Sequence, residues 1–280
     1  MPVVVDGRRL QTVEDLIASG PAAWDRSLNG ARSEELVTVA EADLRAPLAR
    51  PSKIVCIGLN YYDHAREANL ELPRSPLIFA KFPSSLCGPG DEITWPEGLT
   101  EQVDWEAELA VVVGLPLRHA DPETAMGGVF GYTAANDLSA RDVQFSDGQW
   151  TRGKSLDGFC PVGPVVVTAD EYGDPGRRSV RARVNGTLMQ DSSTAEMIWG
   201  VGEILSFISA STSLMPGDLV LTGTPAGVGA FRAPPTFLQP GDEVEVEVEG
   251  IGVLKNPVAG PVAPQVEAIE PAAREVPPAS

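Results

Sequence analysis

Histidine and cysteine are scarce in this chain, which has two histidines and three cysteines in 280 residues. The cysteines, Cys56, Cys87 and Cys160, show no C-x-x-C spacing, and no histidine cluster accompanies them. This composition argues against a zinc site and favours a reducing compartment. Each cysteine adjoins an apolar segment, so we interpret all three as small buried side chains rather than nucleophiles.

The chain also has few positively charged residues and no long apolar run. Lys and Arg number 21 against 39 Asp and Glu, which gives a formal net charge of −18. Such a surface repels nucleic acids and anionic membranes, so an anionic substrate requires a local positive patch or a metal. No apolar run approaches the ~18 residues of a membrane span, and the N-terminus lacks the pattern of a signal peptide. We therefore expect no nucleic-acid or membrane partner, and a cytoplasmic location.

The length and the abundant turn residues predict one large domain built from short strands. The 28 glycines and 25 prolines are typical of such a protein rather than of a helical bundle. We predict a small α/β domain over residues 1–50, a main domain over 51–258 and a disordered Pro/Ala-rich tail over 259–280. In the first, Thr12 and Asp15 fit a capping box that opens a helix reaching about Ser19.

Carboxylates are concentrated where the main domain reads as buried strand. Asp104, Glu106 and Glu108 lead into the β-branched run at 110–113, and residues at alternate positions of a strand share a face. Crowded carboxylates repel, which raises a pKa or recruits a cation. Asp137, at the end of another apolar strand, adds a further carboxylate. Oxygen ligands alone favour Mg²⁺ or Mn²⁺.

Spacing alone leaves a second interpretation open, in which these carboxylates form an exposed acidic edge strand. The same alternation occurs where Glu243, Glu245, Glu247 and Glu249 are separated by valines. We interpret that second stretch as the solvated face of a strand and not as a metal site.

Local signals predict two helices, a hairpin and a loop in the second half of the chain. Ser139 and Asp142 fit a capping box opening a helix that would carry Arg141 and Gln144 on one face. Residues 193–209 fit a second helix, capped by its first and fourth residues. The Asn-Gly pair at 185–186 predicts a type I′ hairpin. The glycine-rich segment 222–229 lacks the ending of a Walker motif, but its amides could approach an oxyanion.

Four motifs occur in one order: V-D-W-E-A-E-L at 103–109, N-D-L-S-A-R-D-V-Q at 136–144, G-K-S at 153–155 and T-G-T-P at 222–225. Together they resemble the fumarylacetoacetate hydrolase family over roughly residues 51–258. The resemblance implies an α+β, mostly β fold: a mixed β-roll or distorted barrel with flanking helices behind a small N-terminal domain. It also implies a homodimer.

The resemblance assigns roles to single residues. It implies that Mg²⁺ or Mn²⁺ is held by Glu106, Glu108 and Asp137, with Asp104 just behind them. It implies substrate contacts from four residues and a catalytic role for the lysine among them: Arg141, Gln144, Lys154 and Thr224. By residue type alone Lys154 would be a surface lysine. Inside the site, it and Arg141 would supply the positive patch that an anionic substrate needs.

His64 and Glu67 stand three residues apart on a predicted short helix and therefore share a face. Spacing alone favours an exposed polar face. The resemblance instead implies an H-x-x-E pair on a lid, in which the carboxylate orients the imidazole and the imidazole takes a proton from water.

These assignments predict an enzyme that hydrolyses a C–C bond of a β-diketo or acylpyruvate-type 2-oxo acid through a metal-bound enolate, as in aromatic catabolism. Decarboxylation or enol–keto isomerisation of an oxaloacetate-type or hydroxyheptadienedioate-type acid passes through a similar enolate and stays open. A non-catalytic binding protein on the same fold is the third reading. Acylpyruvate hydrolases of the family often carry Gly-Arg-Asn-Tyr where this chain has Leu59 after Gly58. That departure leaves room for a longer or differently anchored acid.

Overall fold

The structure is a computed structural model that describes residues 4–5, 8–9, 12–24 and 44–263. Its α-helices are short: α1 Val13–Ala18, α2 Tyr62–Glu67, α3 Pro122–Gly127, α4 Arg141–Asp147, α5 Thr151–Lys154, α6 Ala169–Tyr172 and α7 Val201–Ser209. The strands are β1 Val4–Val5, β2 Arg8–Arg9, β3 Ile54–Gly58, β4 Leu77–Lys81, β5 Leu86–Cys87, β6 Ile93–Pro96, β7 Val103–Asp104, β8 Ala107–Val113, β9 Val129–Asn136, β10 Ser139–Ala140, β11 Cys160–Thr168, β12 Ser179–Val184, β13 Thr187–Ser193, β14 Leu219–Leu221, β15 Glu243–Val248 and β16 Gly252–Val262. None of the helices in the described part of the chain is long and apolar enough to cross a membrane.

A seven-stranded mixed sheet, in the order β4-β3-β14-β8-β9-β11-β5, is the centre of the fold. One face packs on a five-stranded sheet of order β13-β12-β15-β16-β6, with Val111 and Val246 in the shared core. The other face is covered in part by Ile17 and Leu48 from the N-terminal region. The predicted mostly β, α+β roll with flanking helices is therefore confirmed.

Strand β8 lies between β14 and β9, and all seven of its residues are buried. A strand covered on both faces reads as a continuous apolar run, which accounts for the β-branched residues at its end. The alternative interpretation, an exposed acidic edge strand, is wrong because this strand is central.

The N-terminal helix α1 begins as predicted. The Thr12 hydroxyl accepts from the Asp15 amide at 3.1 Å, and the Asp15 carboxylate accepts from the Thr12 amide at 3.2 Å. Trp24 then packs edge-to-face on Phe130 of the main sheet, with ring centroids 5.0 Å apart. The described part of this region thus lies against the main sheet.

The capping box predicted at Ser139 and Asp142 is wrong. The Ser139 hydroxyl donates to the Asp137 carbonyl at 2.9 Å, and α4 begins at Arg141 without a side-chain cap. The Asp142 carboxylate instead accepts from the Thr100 hydroxyl at 2.6 Å. Both side chains therefore serve contacts outside the helix.

The helix predicted over 193–209 starts eight residues later, at Val201. Ser193 ends β13, and the Ile198 amide donates to the Asn60 carbonyl at 2.7 Å. Glu203 provides the cap, since its carboxylate accepts from the Gly200 amide at 2.8 Å.

The predicted hairpin is confirmed, with both turn residues at positive φ, 51° for Asn185 and 74° for Gly186. Strand β16 continues past residue 258, the predicted end of the main domain, to Val262 and pairs in parallel with β6. The domain boundaries stay a prediction. Residues 264–280 of the predicted tail lie outside the described residues.

Candidate active site

The three predicted metal ligands meet where β8 and β9 come together. These strands are antiparallel with Ala107 opposite Asn136, so the residues just outside that pair, Glu106 and Asp137, lie side by side. The Asp137 amide donates to the Glu106 carbonyl at 2.9 Å. Oxygens of Glu106, Glu108 and Asp137 all lie within 4.8 Å of one another, and all three residues are buried.

Asp104 does not share their face, contrary to the alternation predicted for residues 104–108. The chain leaves the strand between β7 and β8, and the Asp104 carboxylate turns toward other partners. It accepts from Arg141 Nε at 2.8 Å and from the amides of Gly229 and Ala230 at 2.6 and 3.0 Å. Asp104 is therefore linked to Glu106 through Arg141, whose Nη2 lies 2.7 Å from Glu106 Oε1.

Two buried lysines complete the charged centre. Lys154 Nζ donates to Glu106 Oε2 and to Asp137 Oδ2, both at 2.8 Å. Lys81 Nζ donates to the other oxygen of Asp137 at 2.6 Å and to the Leu138 carbonyl at 3.0 Å. Both oxygens of Asp137 thus face an ammonium group.

The described centre holds four carboxylates and three cations, so one negative charge has no counterpart: Asp104, Glu106, Glu108 and Asp137 against Lys81, Arg141 and Lys154. Burial would raise the pKa of Glu106, but Lys154 and Arg141 lower that pKa to about 2. Burial also opposes the charge of Lys154, yet Asp137 and Glu106 raise its pKa. These groups therefore stay ionised.

Glu108 is the carboxylate of this centre without a counter-charge. Burial raises its pKa well above the usual value, and repulsion from Asp137 and Glu106 adds to the rise. Its Oε2 accepts from the Gly223 amide at 2.7 Å, and no described side-chain cation pairs with it. A cation bound here would balance the charge of Glu108, and carboxylate oxygens are the ligands that a hard divalent cation prefers. The residues present thus fit Mg²⁺ or Mn²⁺, the predicted metals.

A cavity of about 210 Å³ opens on this centre, and all predicted substrate-binding residues line it: Arg141, Gln144, Lys154 and Thr224. Several of these side chains are already engaged. Arg141 Nη1 donates to Gln144 Oε1 at 3.1 Å. The Thr224 hydroxyl donates to the Ala107 carbonyl at 3.0 Å and accepts from Gln190 at 2.8 Å. Hydrogen bonds to one another and to neighbouring residues therefore fix these side chains in the floor of the cavity.

His64 also lines the cavity and is only 8% exposed, so the solvated-face interpretation of this helix is wrong for it. Its Nδ1 lies 3.3 Å from Glu67 Oε2, as the predicted pairing requires. The ring of Phe231 packs edge-on, with centroids 5.6 Å apart. The imidazole is thus fixed from two sides at the wall of the cavity.

The loop 222–231, which contains the predicted glycine-rich segment 222–229, directs its amides at the protein's own carboxylates. The amides of Gly223, Gly227 and Gly229 donate to Glu108, Glu67 and Asp104 at 2.7, 3.0 and 2.6 Å. Gly223 and Gly227 have φ of 98° and 105°, values that favour glycine. One loop therefore holds three residues of the site: Glu108, a predicted metal ligand; Glu67, which pairs with His64; and Asp104, which binds Arg141.

Sequence reasoning missed Lys81, Gln190 and Asn60. The one signal for Lys81 is its place at the end of an apolar strand. The side-chain oxygen Oε1 of Gln190 accepts from the Ala107 amide at 2.9 Å, and the side-chain amide of Asn60 donates to the Thr222 carbonyl at 2.8 Å. Both are satisfied by partners far along the chain, for which local sequence carries no signal.

Comparison with known proteins agrees with this geometry. The family model described as "Fumarylacetoacetate (FAA) hydrolase C-terminal" matches residues 53–259. A mitochondrial oxaloacetate tautomerase of Bos taurus is 48% identical over 221 residues, which are 78% of this chain and 70% of the relative. The oxaloacetate tautomerase YisK of Bacillus subtilis is 41% identical over 240 residues, 85% of this chain and 80% of the relative.

A solved structure supports the same grouping. The 2-hydroxyhepta-2,4-diene-1,7-dioate isomerase of Mycobacterium marinum superimposes with a TM-score of 0.68 at 44% identity, covering 77% of each chain. Fold, buried carboxylates and sequence identity thus agree, and the chain belongs to the fumarylacetoacetate hydrolase family of enzymes.

Proposed function

We propose that this protein is a metal-dependent keto–enol tautomerase of small 2-oxo acids, with oxaloacetate the first substrate to test. The observation that carries the proposal is that His64, paired with Glu67, lines the same small cavity as Glu106, Lys154 and Arg141. A group able to move a proton thus stands beside two cationic side chains and beside a carboxylate that would help to hold the metal. The tautomerase relatives and the isomerase structure favour this reaction over the C–C hydrolysis expected from the sequence.

Glu106, Glu108 and Asp137 would hold Mg²⁺ or Mn²⁺, which when bound supplies a Lewis acid that polarises the 2-oxo group. Glu67 beside Nδ1 favours the tautomer with its proton on Nδ1 and leaves Nε2 of His64 free to accept a proton. Lys154 uses two of its three donors on carboxylates, and the third is available to a substrate oxygen.

Tautomerisation needs a group that carries a proton and groups that stabilise the enolate, and His64, Lys154 and the metal would supply them. The C3–H bond of the substrate breaks and its proton passes to His64 Nε2. The imidazolium then gives that proton to the 2-oxo oxygen, where the O–H bond forms, and His64 returns to its neutral form. No water enters the reaction. C–C hydrolysis is the second candidate, because the same His64–Glu67 pair is suited to activating a water molecule.

One set of assays separates these reactions. Purified protein with Mg²⁺ or Mn²⁺ is given enol-oxaloacetate and the loss of enol absorbance is followed, while pyruvate release and acylpyruvate cleavage are measured in parallel. We expect tautomerisation to be the fastest reaction, to stop with EDTA and to return with added metal. Acylpyruvate cleavage without tautomerisation would restore the hydrolase interpretation.

The two histidines of the chain provide a matched test of the proton carrier. His64→Asn should lower tautomerisation by about 10²–10⁴-fold, since a general acid–base group is lost, and should leave metal binding by calorimetry unchanged. The control is His119→Asn, because His119 is exposed and its φ of 52° is one that Asn tolerates. Equal activity of the two variants would remove His64 from the mechanism.

The homodimer and the cytoplasmic location stay predictions. Light scattering of the purified chain checks the first. The location deserves its own experiment, because one relative is mitochondrial and another is bacterial.

A further inference from the structure

Lys81 differs from the other two cations of the charged centre in its position. Arg141 and Lys154 line the cavity, whereas Lys81 is not among the described residues that line it. The Lys81 side chain has no solvent exposure, and its Nζ lies 2.6 Å from Asp137 Oδ1, while Lys154 contacts the other oxygen of the same carboxylate. A substrate in the cavity can therefore meet Arg141 and Lys154, and Lys81 needs a role that does not involve contact with it.

Strand β4 brings Lys81 to the centre because its side chains alternate between two faces. Phe79 and Lys81 are the buried residues of β4, and the residue between them is exposed. The Phe79 ring centroid lies 5.1 Å from Lys154 Nζ, and two residues later Lys81 donates to Asp137 and to the Leu138 carbonyl. One face of one strand thus supports both lysines that contact Asp137.

The surroundings of Lys81 offer it no second anion. Two buried thiols, Cys56 and Cys160, lie within range of its charge. Burial raises the pKa of Cys160 to about 12 and the pKa of Cys56 well above its usual value, so both thiols are neutral at pH 7. Among the described residues, Asp137 is thus the anion that pairs with Lys81.

Stability alone does not explain a lysine at this position. A buried ion pair is a weak source of stability, because the lost hydration of both charges offsets most of their attraction. Asp137 also contacts Lys154, so its own charge is already balanced by another ammonium group. What Lys81 changes is the total charge of the centre.

The total charge decides how the centre acts on an anion. Its four carboxylates and three cations leave one negative charge, so a bound divalent cation would make the total +1. Without Lys81 the total with the same cation would be zero. Oxaloacetate, the substrate proposed above, is a dianion, and the whole chain carries a net charge of −18. A neutral centre would give such a substrate no net attraction within a protein that repels anions.

We propose that Lys81 sets the charge of the metal-binding centre, weakening the binding of the divalent cation and strengthening the binding of a dianionic substrate to the metal-loaded protein. The two effects have opposite signs, because an ammonium group repels a cation and attracts an anion. Lys81 is thus a positioning residue that acts by charge and through Asp137. The inference rests on the proposed function for the identity of the anion.

Metal binding by the metal-free protein tests the first effect. Lys81→Met removes the charge, and Lys81→Gln removes the charge but keeps a donor for Asp137. Calorimetry with Mn²⁺ should show at least about tenfold tighter binding in both variants, because a unit charge several ångströms away is worth at least this factor at an effective dielectric constant of ~20. Loss of a group that merely orients a ligand weakens metal binding by roughly 10–100-fold. Unchanged or weaker Mn²⁺ binding in either folded variant would therefore overturn the inference.

Two small anions of nearly equal size test the second effect. Oxalate carries two negative charges and oxamate carries one, and both resemble the 2-oxo acid end of the substrate. In the Mg²⁺-saturated protein, with free oxalate corrected for its binding to Mg²⁺ in solution, loss of Lys81 should weaken oxalate by about tenfold and oxamate by only about threefold, since Coulomb energy is proportional to charge. Equal losses for the two anions, or no loss for oxalate, would overturn the inference.

Lys255→Met is the matched control, because it removes the same charge from an exposed pairing with Glu243 and Glu245. It should leave the affinities for Mn²⁺ and oxalate at wild-type values, and changes as large as those of Lys81→Met would overturn the inference by assigning them to the net charge of the chain. Thermal melting shows which variants fold. If Lys81→Met does not fold, Lys81→Gln decides. If neither folds, Lys81 serves the fold itself and the inference is overturned.

The binding results are separable from the proposed function. Lack of tautomerase activity in the wild type, with both shifts in binding present, would overturn the proposed function and leave the role of Lys81. Tautomerase activity in the wild type, with neither shift present in the variants, would overturn only the role of Lys81.

Discussion

Two strand regions of this molecule carry glutamates at alternate positions, and they serve different purposes. In β15 the glutamates are partly exposed and are paired across the sheet: Lys255 contacts Glu243 and Glu245 at 2.7 and 3.3 Å, and Arg183 contacts Glu247 at 2.7 Å. At the start of β8, Glu106 and Glu108 are buried, and Glu108 has no described cationic partner. The motif is the same, so its position in the fold decides its meaning.

The difference between the exposed and the buried glutamates shows where charge interactions are strong enough to bind a cation. Exposed ion pairs are screened by water and salt and contribute little. Buried charges keep their interactions, and a buried charge without a partner is a strong site for a cation. The predictions below test this contrast by making the same change in both regions.

The largest effect is expected from removing a buried metal ligand. Glu106→Ala should lower metal-dependent turnover by roughly 10³-fold, because several kcal/mol of charge stabilisation depend on the metal, and should weaken metal binding in calorimetry. Glu245→Ala makes the same change in β15 and should leave both measurements at wild-type values. Full metal-dependent turnover in Glu106→Ala would show that the metal site is elsewhere.

The next effect is on stability. Lys154→Met leaves Glu106 and Asp137 short of a buried counter-charge and should lower the free energy of unfolding of the metal-free protein by about 3–5 kcal/mol. Lys255→Met removes the exposed partner of Glu243 and Glu245 and should hardly shift the denaturant midpoint. Equal midpoints for the two variants would contradict the contrast.

A smaller change in the free energy of unfolding, this time an increase, is expected when Glu108 is replaced. Its pKa is raised in the folded protein, so its contribution to stability is present at low pH and is lost as pH rises above the usual pKa near 4.5. Glu108→Gln should therefore stabilise the metal-free protein at pH 7 by roughly 1–3 kcal/mol and abolish the shift in melting temperature on adding Mg²⁺. The gain should shrink as pH falls toward 4.5. Glu247→Gln, the matched change in β15, should show neither effect.

The smallest effect concerns salt. At about 1 M NaCl the screening length falls to ~3 Å, so any difference between Glu247→Gln and the wild type should vanish. The loss of unfolding free energy in Lys154→Met should persist, since the carboxylates that Lys154 contacts are buried. Denaturant titrations at low and high salt measure both, and a deficit that disappears with salt would mean that the centre is solvated.

The sequence predicted those parts of the site whose partners are near in the chain or whose motif is distinctive. Helical spacing puts His64 and Glu67 on one face, but the family resemblance was needed to predict their pairing at the site. In the same way, two apolar strands carry Glu106 and Asp137, and the resemblance predicted that they share a site. The predicted cap at Ser139 and Asp142 failed because each side chain has another hydrogen-bond partner, one of them near in the chain and one 42 residues away. Ser139 and Asp142 fit a cap, yet they bond to the Asp137 carbonyl and to Thr100.

Lys81 illustrates a second limit. A lysine at a strand end reads as solvated, because nothing nearby in sequence shows that Asp137, 56 residues later, will meet it. The position of the helix predicted over 193–209 was likewise wrong at its start, because pairing of β13 with β12 outweighed a plausible local cap. Tertiary contacts decided both cases.

The amides of loop 222–231 have a consequence for how the protein acquires activity as it folds. They reach Glu108, Glu67 and Asp104 across 115, 160 and 125 residues of chain. Contacts of such separation are slow to form, because long loops must close first. Since this one loop holds three separate parts of the centre, a chain in which it has not docked lacks all three at once. Partly folded molecules should therefore be inactive rather than partially active, and enzymatic activity should recover with the slowest phase of refolding.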